Sequence, residues 1–457
     1  MINDNKKYDL DEYKKSQKKR SPKEQDRLIG LRRTFVILLS GAMVLGLILV
    51  GGIIGKIAQS DGNTPIFVLN TSAVTAPSTT IGTLATPTPT VPFTVTEQLP
   101  ADPLSDAFWG ELASAEDPIP YEHFDVHGLY LNKVVNLEQC IDLANNSEIN
   151  AFVIDLKEAE GIYYNTSNET AQEIGYLYNY YDLEDVCQTC HDNGIYVIGR
   201  IVCFKDPRLA ATYPDRAICD SAGNPLYFST EGSEAFANPY DQRNWEYLIE
   251  LAEEAVSMGV DEIQFDYVRF PTGNTTSGNA PYFGADGQVP DKSAAINRFL
   301  QTARISIQDT LGIPVSADIF GIAVTSSLDG DILGQDWETV GFTGIDSLCP
   351  MIYPSHYALG TQMNGMTFDA PDLDPYDIML NALLIGSRYH DQPGYCTVRP
   401  YLQAFTASYL GEGNYMVYDY DAINDQIRAL QDAGLSEWIL WNASVEYPEG
   451  NYGGNND

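Results

Sequence analysis

The run DEIQFDYVRFP, residues 261–271, decides how this chain folds. Ile263 and Phe265 alternate with Gln264 and Asp266, the period of two expected of a strand. If the apolar pair faces a layer of helices, Gln264 and Asp266 face the opposite way, toward an interior axis. A carboxylate in such a place is costly without a partner or a task. Arg269 is close enough along the chain to be that partner.

Seven further β-rich runs surround this one: VHGLYLN (126–132), NAFVIDLK (150–157), IYVIGRIVCF (195–204), PVSADIFG (314–321), DSLCPMIYP (346–354), TVRPYLQAF (397–405) and SEWILWNA (436–443). Between them lie segments with apolar residues at i, i+3 and i+4. LEQCIDLAN (137–145), LEDVCQTCHDNG (183–194), WEYLIELAEEAVSMG (245–259), AAINRFLQTARISIQDTLG (294–312), PYDIMLNALLIGSRYH (375–390) and DAINDQIRALQDAG (421–434) read as helices. ILGQDWETVGFTG (332–344) reads as a shorter one. Gly194, Gly259, Gly312 and Gly434 close helices just before the next strand.

Strands alternating with helices give a parallel sheet, and eight strands close into a barrel. An open dinucleotide-binding sheet would need a glycine-rich turn after its first strand, and HGLYLNKVVN (127–136) has none. The chain therefore reads as an α/β protein, a (β/α)8 barrel over residues 121–449 with a short flexible tail, 450–457.

The barrel is preceded by something different. Thr34 to Gly55 is 22 residues without a charge, long enough to cross a bilayer core of about 30 Å. Residues 1–33 are basic, with Lys14, Lys15, Lys18, Lys19, Arg20, Arg32 and Arg33 close before the apolar run. The positive-inside rule keeps that end in the cytoplasm and translocates the rest. The run is longer than a signal-peptide core and starts late, so it reads as an uncleaved signal anchor. Residues 56–120 hold a Thr/Pro/Ser-rich stretch that cannot bury enough surface to fold and reads as a disordered linker. The expected location is the cell membrane, single-pass, with the barrel outside.

Charge is divided the same way. Residues 1–34 carry a net +5, whereas Ile57 to the C-terminus carries −43. So acidic a domain repels nucleic acid, which is not expected as a partner. The seven cysteines lack the spacing of a disulfide scaffold, and Cys187-x-x-Cys190 sits mid-helix, not at a redox turn. There are five histidines and no HExxH; DGDILGQD (329–336) lacks the ligand order of an EF-hand. No metal or other cofactor is expected, and no Gly-x-Ser-x-Gly elbow suggests serine hydrolysis.

Barrel chemistry sits at the C-terminal ends of the strands. In the fifth strand Ser316 and Asp318 share one parity, so Asp318 points inward near the strand end as Asp266 does. Adjacent strands lie about 4.8 Å apart, close enough for two carboxyls to flank one bond. That arrangement suits glycoside hydrolysis, with one carboxyl as acid and the other as nucleophile or base. Other strand ends contribute Asp155, Lys157 and Glu158, Arg200, then Tyr267 and Arg269, Tyr353 and His356, Gln403, and Trp441 with Asn442. Aromatics beside hydrogen-bonding groups suit sugar rings. These residues are the expected substrate-binding set.

The chain also resembles a family of glycoside-hydrolase-like (β/α)8 barrels from secreted or membrane-anchored bacterial proteins, a domain of unknown function. GLYLN (128–132), FVIDLK (152–157), GVDEIQFDYVRFP (259–271), SADIFG (316–321), MIYPSHY (351–357), RPYLQAF (399–405) and WILWNA (438–443) carry the resemblance. It implies a carbohydrate-active barrel with Asp266 as the leading catalytic candidate. Amylase-like barrels, to which the family looks distantly related, use Asp, Glu and Asp after strands four, five and seven. Here the fifth strand offers Asp318 and the seventh only Gln403, which leaves Glu158 as an alternative acid. The expected function is an extracytoplasmic glycosidase acting on a polysaccharide or cell-wall glycan. The alternatives are a non-catalytic carbohydrate-binding barrel and, more remotely, a polysaccharide deacetylase or lyase.

Overall fold

The structure, a computed structural model, describes Leu99 and residues 102–452. The basic tail, the apolar run 34–55 and the linker up to residue 98 lie outside the described residues, as do residues 453–457. No helix among the described residues is long and apolar enough to cross a membrane.

Eight parallel strands close into a barrel. They are β1 His127–Leu131, β2 Ala151–Glu158, β3 Tyr196–Val202, β4 Glu262–Asp266, β5 Val315–Phe320, β6 Ser347–Met351, β7 Tyr401–Gln403 and β8 Trp438–Trp441. Each pairs with the next, and β8 returns to β1 through His127 opposite Trp438. Seven lie inside the runs read from the sequence, and β2 runs one residue past its own, to Glu158. The helices are α1 Leu137–Ala144, α2 Leu183–Asp192, α3 Gln242–Ser257, α4 Lys292–Ala303, α5 Ser327–Leu333, α6 Pro375–His390 and α7 Tyr420–Asp432. The side chains of Asp182, Asp241, Asp291 and Asp419 cap α2, α3, α4 and α7, each accepting from a first-turn amide that has no partner inside its helix.

The helix between β5 and β6 is displaced from its expected place. It begins with Gly321–Thr325 and ends at Leu333, whereas the expected segment ran over residues 332–344. Gly334 stops it, at φ +77° and with the Lys292 carbonyl 2.9 Å from where a Cβ would stand. A side chain there would meet both a strained backbone and that oxygen.

The period-two pattern divides the interior in two. Phe152, Val197, Ile263, Phe265, Ala317, Leu402 and Leu440 pack outward against the helices. Tyr130, Val153, Ile198, Cys349, Met351, Tyr401 and Ile439 pack inside the barrel. The N-terminal mouth is closed by a buried polar network around Arg399. Its guanidinium donates to Glu262 at 2.7 Å and to Glu437 at 2.8 Å. His123, on the segment leading into β1, bridges Asp346 at 2.9 Å and Glu437 at 2.7 Å.

The stretch read as a disordered linker is in part folded onto the barrel, through Asp106 to Arg298 and the Ile119 amide to the Asp309 carbonyl. Pro103–Trp109 is helical, and Trp109 stacks on Tyr240 with centroids 5.8 Å apart. At the other end, Tyr452 is buried against Trp438 and Tyr420. All seven cysteines are free thiols. Asp329, in the acidic run weighed for calcium, accepts from the Ser326 hydroxyl in the first turn of α5.

Candidate active site

The C-terminal mouth is organised around Arg200. Inward parity on β3 sends this side chain to the axis, level with Asp155 on β2 and Gln264 on β4. Its Nη1 donates to Asp155 and Glu158. Its Nε and Nη2 both reach Oδ2 of Asp266, at 3.1 and 2.5 Å. Oδ2 of Asp318 lies 3.6 Å from the same Nε. Four carboxyl groups from three strands thus converge on one cation.

Such a cluster cannot be fully ionised, because burial and like charge both favour the neutral acid. Burial pushes Asp318 well above the usual carboxylate range, and neighbouring Asp266 pushes it further. Its Oδ1 has no hydrogen-bond partner among the described residues. Burial also raises Asp155, to about 7, against the pull of Arg200. Tyr130 donates to Asp155 at 2.6 Å. Asp266 differs in that both its oxygens accept: Oδ2 from Arg200, and Oδ1 from the amide of Tyr267 at 2.5 Å. Tyr267 has φ +49°, a conformation costly for a bulky non-glycine residue and concentrated at functional sites.

Exposure grades across the cluster. Glu158 keeps 20% of its side chain exposed, while Asp266 keeps 5% and Asp318 1%. The opposite wall is aromatic. Trp441 lies 5.9 Å from Tyr130, 5.7 Å from Tyr353 and 5.2 Å from Phe405, centroid to centroid. The Tyr353 hydroxyl is buried without a partner among the described residues. His356 stands edge-on to Tyr353 at 5.0 Å, and burial lowers its pKa to about 4, so the ring is neutral at pH 7.

The structure therefore brings Asp155, Glu158, Arg200, Asp266 and Asp318 together, with Tyr353, His356 and Trp441 alongside. Four expected members have other partners. Arg269 does not pair with Asp266; it forms a two-pronged bridge to Glu231 at 3.0 and 3.2 Å, fully buried. Lys157 holds the Val202 carbonyl at 2.7 Å and Asp206 at 2.9 Å, fixing the turn after β3. Gln403 accepts from the Ser355 amide and donates to Asp372, which sets the β6 and β7 loops behind the site. Asn442 donates to the Ala404 and Glu446 carbonyls and closes the turn after β8. Tyr267 lies beside Asp266, with its ring facing Lys205 and Arg269.

Two members escaped sequence reasoning. Tyr130 had a usable signal, the inward parity of its strand. Phe405 had only its place after a strand end.

Comparison with known proteins follows the same residues. A family model described as "Putative glycosyl hydrolase domain" matches residues 126–447. Among solved structures, a hypothetical protein from Ruminiclostridium thermocellum is 39% identical over 42% of this chain and 96% of its own, with a TM-score of 0.37. An α-galactosidase from Thermus thermophilus is 12% identical over 72% of this chain and 60% of its own, with a TM-score of 0.43. A family 20 β-N-acetylglucosaminidase is 12% identical over 70% of this chain and 64% of its own, with a TM-score of 0.42. No functionally curated protein matches the sequence.

Proposed function

Because this chain belongs to the family described as a putative glycosyl hydrolase domain, we propose that it cleaves glycosidic bonds in a polysaccharide or cell-wall glycan. The apolar run 34–55 anchors it in the cell membrane, and the barrel works on the outer side. The observation that carries the catalytic reading is the unequal pair Asp266 and Asp318. One accepts at both oxygens and is held by Arg200; the other is buried, has an unpartnered Oδ1 among the described residues, and has its pKa raised by that burial.

A glycosidase needs that inequality. Asp266 is the nucleophile or base. Asp318 is the acid that protonates the leaving-group oxygen as the bond to the anomeric carbon breaks. Their Oδ2 atoms can be no farther apart than their two distances to Arg200 Nε laid end to end. That limit admits a retaining pair, about 5–5.5 Å apart, or the narrow end of the inverting range, about 6.5–9.5 Å. Tyr130, Tyr353, Phe405 and Trp441 supply the apolar wall against which a sugar ring packs. Glu158 supports a second assignment of the acid, since it is the most exposed carboxyl on Arg200.

The test is reducing-end release from a panel of soluble polysaccharides by the full-length chain, with binding to the same polymers measured separately. Release from at least one polymer is the expected result. Binding to a polymer with no cleavage of any would overturn the catalytic reading in favour of a binding barrel. D318N and E158Q then identify the acid by which of them loses the reaction.

A further inference from the structure

The chain between β2 and α2 builds a sheet extension beside the mouth. Strand Gly161–Tyr164 pairs antiparallel with β2, and strand Leu177–Tyr181 pairs parallel with it and ends the sheet. Tyr181 turns inward and donates to the Asp155 carbonyl at 2.5 Å. Tyr178 and Tyr180 turn outward, 39% and 48% exposed. Their rings are parallel to within 7°, with centroids 5.3 Å apart. Both meet the buried ring of Tyr163 edge-on, at 6.0 and 5.0 Å. Lys133, from the turn after β1, places its ammonium 5.1 Å from the centroids of both Tyr163 and Tyr180. Glu160 takes the Tyr163 phenol hydrogen and lies 3.8 Å from Lys133.

An exposed aromatic pair held this rigidly is a surface built for contact. A free sheet edge also suits an added peptide strand. Here Tyr176 and Asn179 have φ values of +59° and +48°, and the register slips between Ile162 and Tyr164. Those breaks remove the continuous row of edge groups that strand addition requires. A sugar polymer needs no such row. It presents apolar ring faces with hydroxyl rims, which match phenol rings bordered by an ammonium and a carboxylate. Lys133 and Glu160 offset each other, so the surface favours an uncharged chain.

The surface adjoins the candidate active site through the backbone, since Tyr178 packs over Gly161. Gly161 pairs with Glu158, and Glu158 is bound to Arg200. A polymer leaving the mouth past Glu158 meets the tyrosines next. We propose that Tyr178 and Tyr180, on their Tyr163 floor and flanked by Lys133, form an accessory binding surface for a neutral polysaccharide. The inference rests on the glycosidase reading for the nature of the polymer.

The test is electrophoresis of the full-length chain through native gels containing soluble starch, glycol chitin, xylan, galactomannan or β-glucan. The wild type is expected to be retarded by at least one of them. The Y178A/Y180A double variant should lose that retardation, its apparent Kd rising at least about tenfold. Y178F/Y180F, which keeps the rings, should stay retarded, and matched circular-dichroism melts establish that both variants fold. No retardation of the wild type, or equal retardation of the alanine pair, overturns the proposal. Reducing-end release on the same polymers separates the two readings. Cleavage with equal retardation of the alanine pair removes the surface and keeps the enzyme. Retardation lost in the alanine pair, with no cleavage by the wild type, keeps the surface and removes the enzyme.

Discussion

Arg200 Nε stands 3.1 Å from Asp266 and 3.6 Å from Asp318, so one edge of one guanidinium faces two carboxyls from neighbouring strands. The electrostatics of the mouth follow from that relationship. The cation satisfies Asp266, and burial followed by the charge of Asp266 raises Asp318 well above the usual carboxylate range.

Replacing Arg200 with leucine leaves three buried carboxyls and the half-buried Glu158 without their cation. The expected cost is about 3–5 kcal/mol in urea unfolding. R200K keeps the charge but loses the planar fork that serves several oxygens at once. Its unfolding midpoint should fall less than that of R200L, and its activity should drop because Asp266 loses the fork that positions it. An R200L variant as stable as the wild type would remove Arg200 from the centre of the cluster.

The D318N change replaces a buried carboxyl whose pKa is raised with a neutral amide of the same shape. Activity should fall about 10²–10⁴-fold, the usual contribution of general acid catalysis. Stability has a defined sign. The folded pKa of Asp318 is raised, so the folded state holds a proton that the unfolded chain releases near its ordinary value of about 3.9. Wild-type stability therefore declines as pH rises above about 4, and D318N lacks that term. Denaturant midpoints from pH 4 to pH 7 should show the variant gaining on the wild type. A constant gap would mean that Asp318 is ionised in the fold.

His123, on the segment leading into β1, titrates the other way. Asp346 and Glu437 outweigh partial burial and raise His123 to about 10. Its stabilisation is complete below the unfolded histidine value of about 6.5 and disappears as pH rises through 10. H123Q should cost about 2 kcal/mol at pH 6, discounted from a fully buried pair because the ring is partly exposed. The difference from the wild type should shrink between pH 7 and pH 10. A difference independent of pH would show that the ring is held uncharged.

The Y353F change removes a hydroxyl that has no hydrogen-bond partner among the described residues. Thermal stability should hold, because no hydrogen bond is lost. If the hydroxyl meets the sugar, kcat/KM should fall about tenfold or more, the scale of one lost hydrogen bond. A variant with unchanged kcat/KM would show that Tyr353 serves the wall by its ring alone.

The barrel was legible because its signal is periodic. Ile263 with Phe265 against Gln264 with Asp266 set the parity of β4, and the same reasoning placed Asp318 inward on β5. Partnerships that cross long excursions left no such trace. Glu231, which takes Arg269 from Asp266, lies in the irregular stretch between β3 and α3. Arg200 read as one polar strand end among several, since nothing local shows that four carboxyls converge on it. Gln403 and Asn442 sit at the expected strand ends, but their amides satisfy loop backbone that only the folded chain brings near. The Arg399 network was equally hidden, because its members come from the starts of separate strands.

The most direct test is reducing-end release by D266N beside the wild type on a polysaccharide that the wild type cleaves. Asparagine keeps the size of the side chain and can still accept from the Tyr267 amide, but it can neither attack an anomeric carbon nor take a proton from water. Release should fall at least about 10³-fold in a variant whose circular-dichroism spectrum matches the wild type. A correctly folded D266N that releases sugar at the wild-type rate would contradict the assignment of the reaction to Asp266 and its partner on β5.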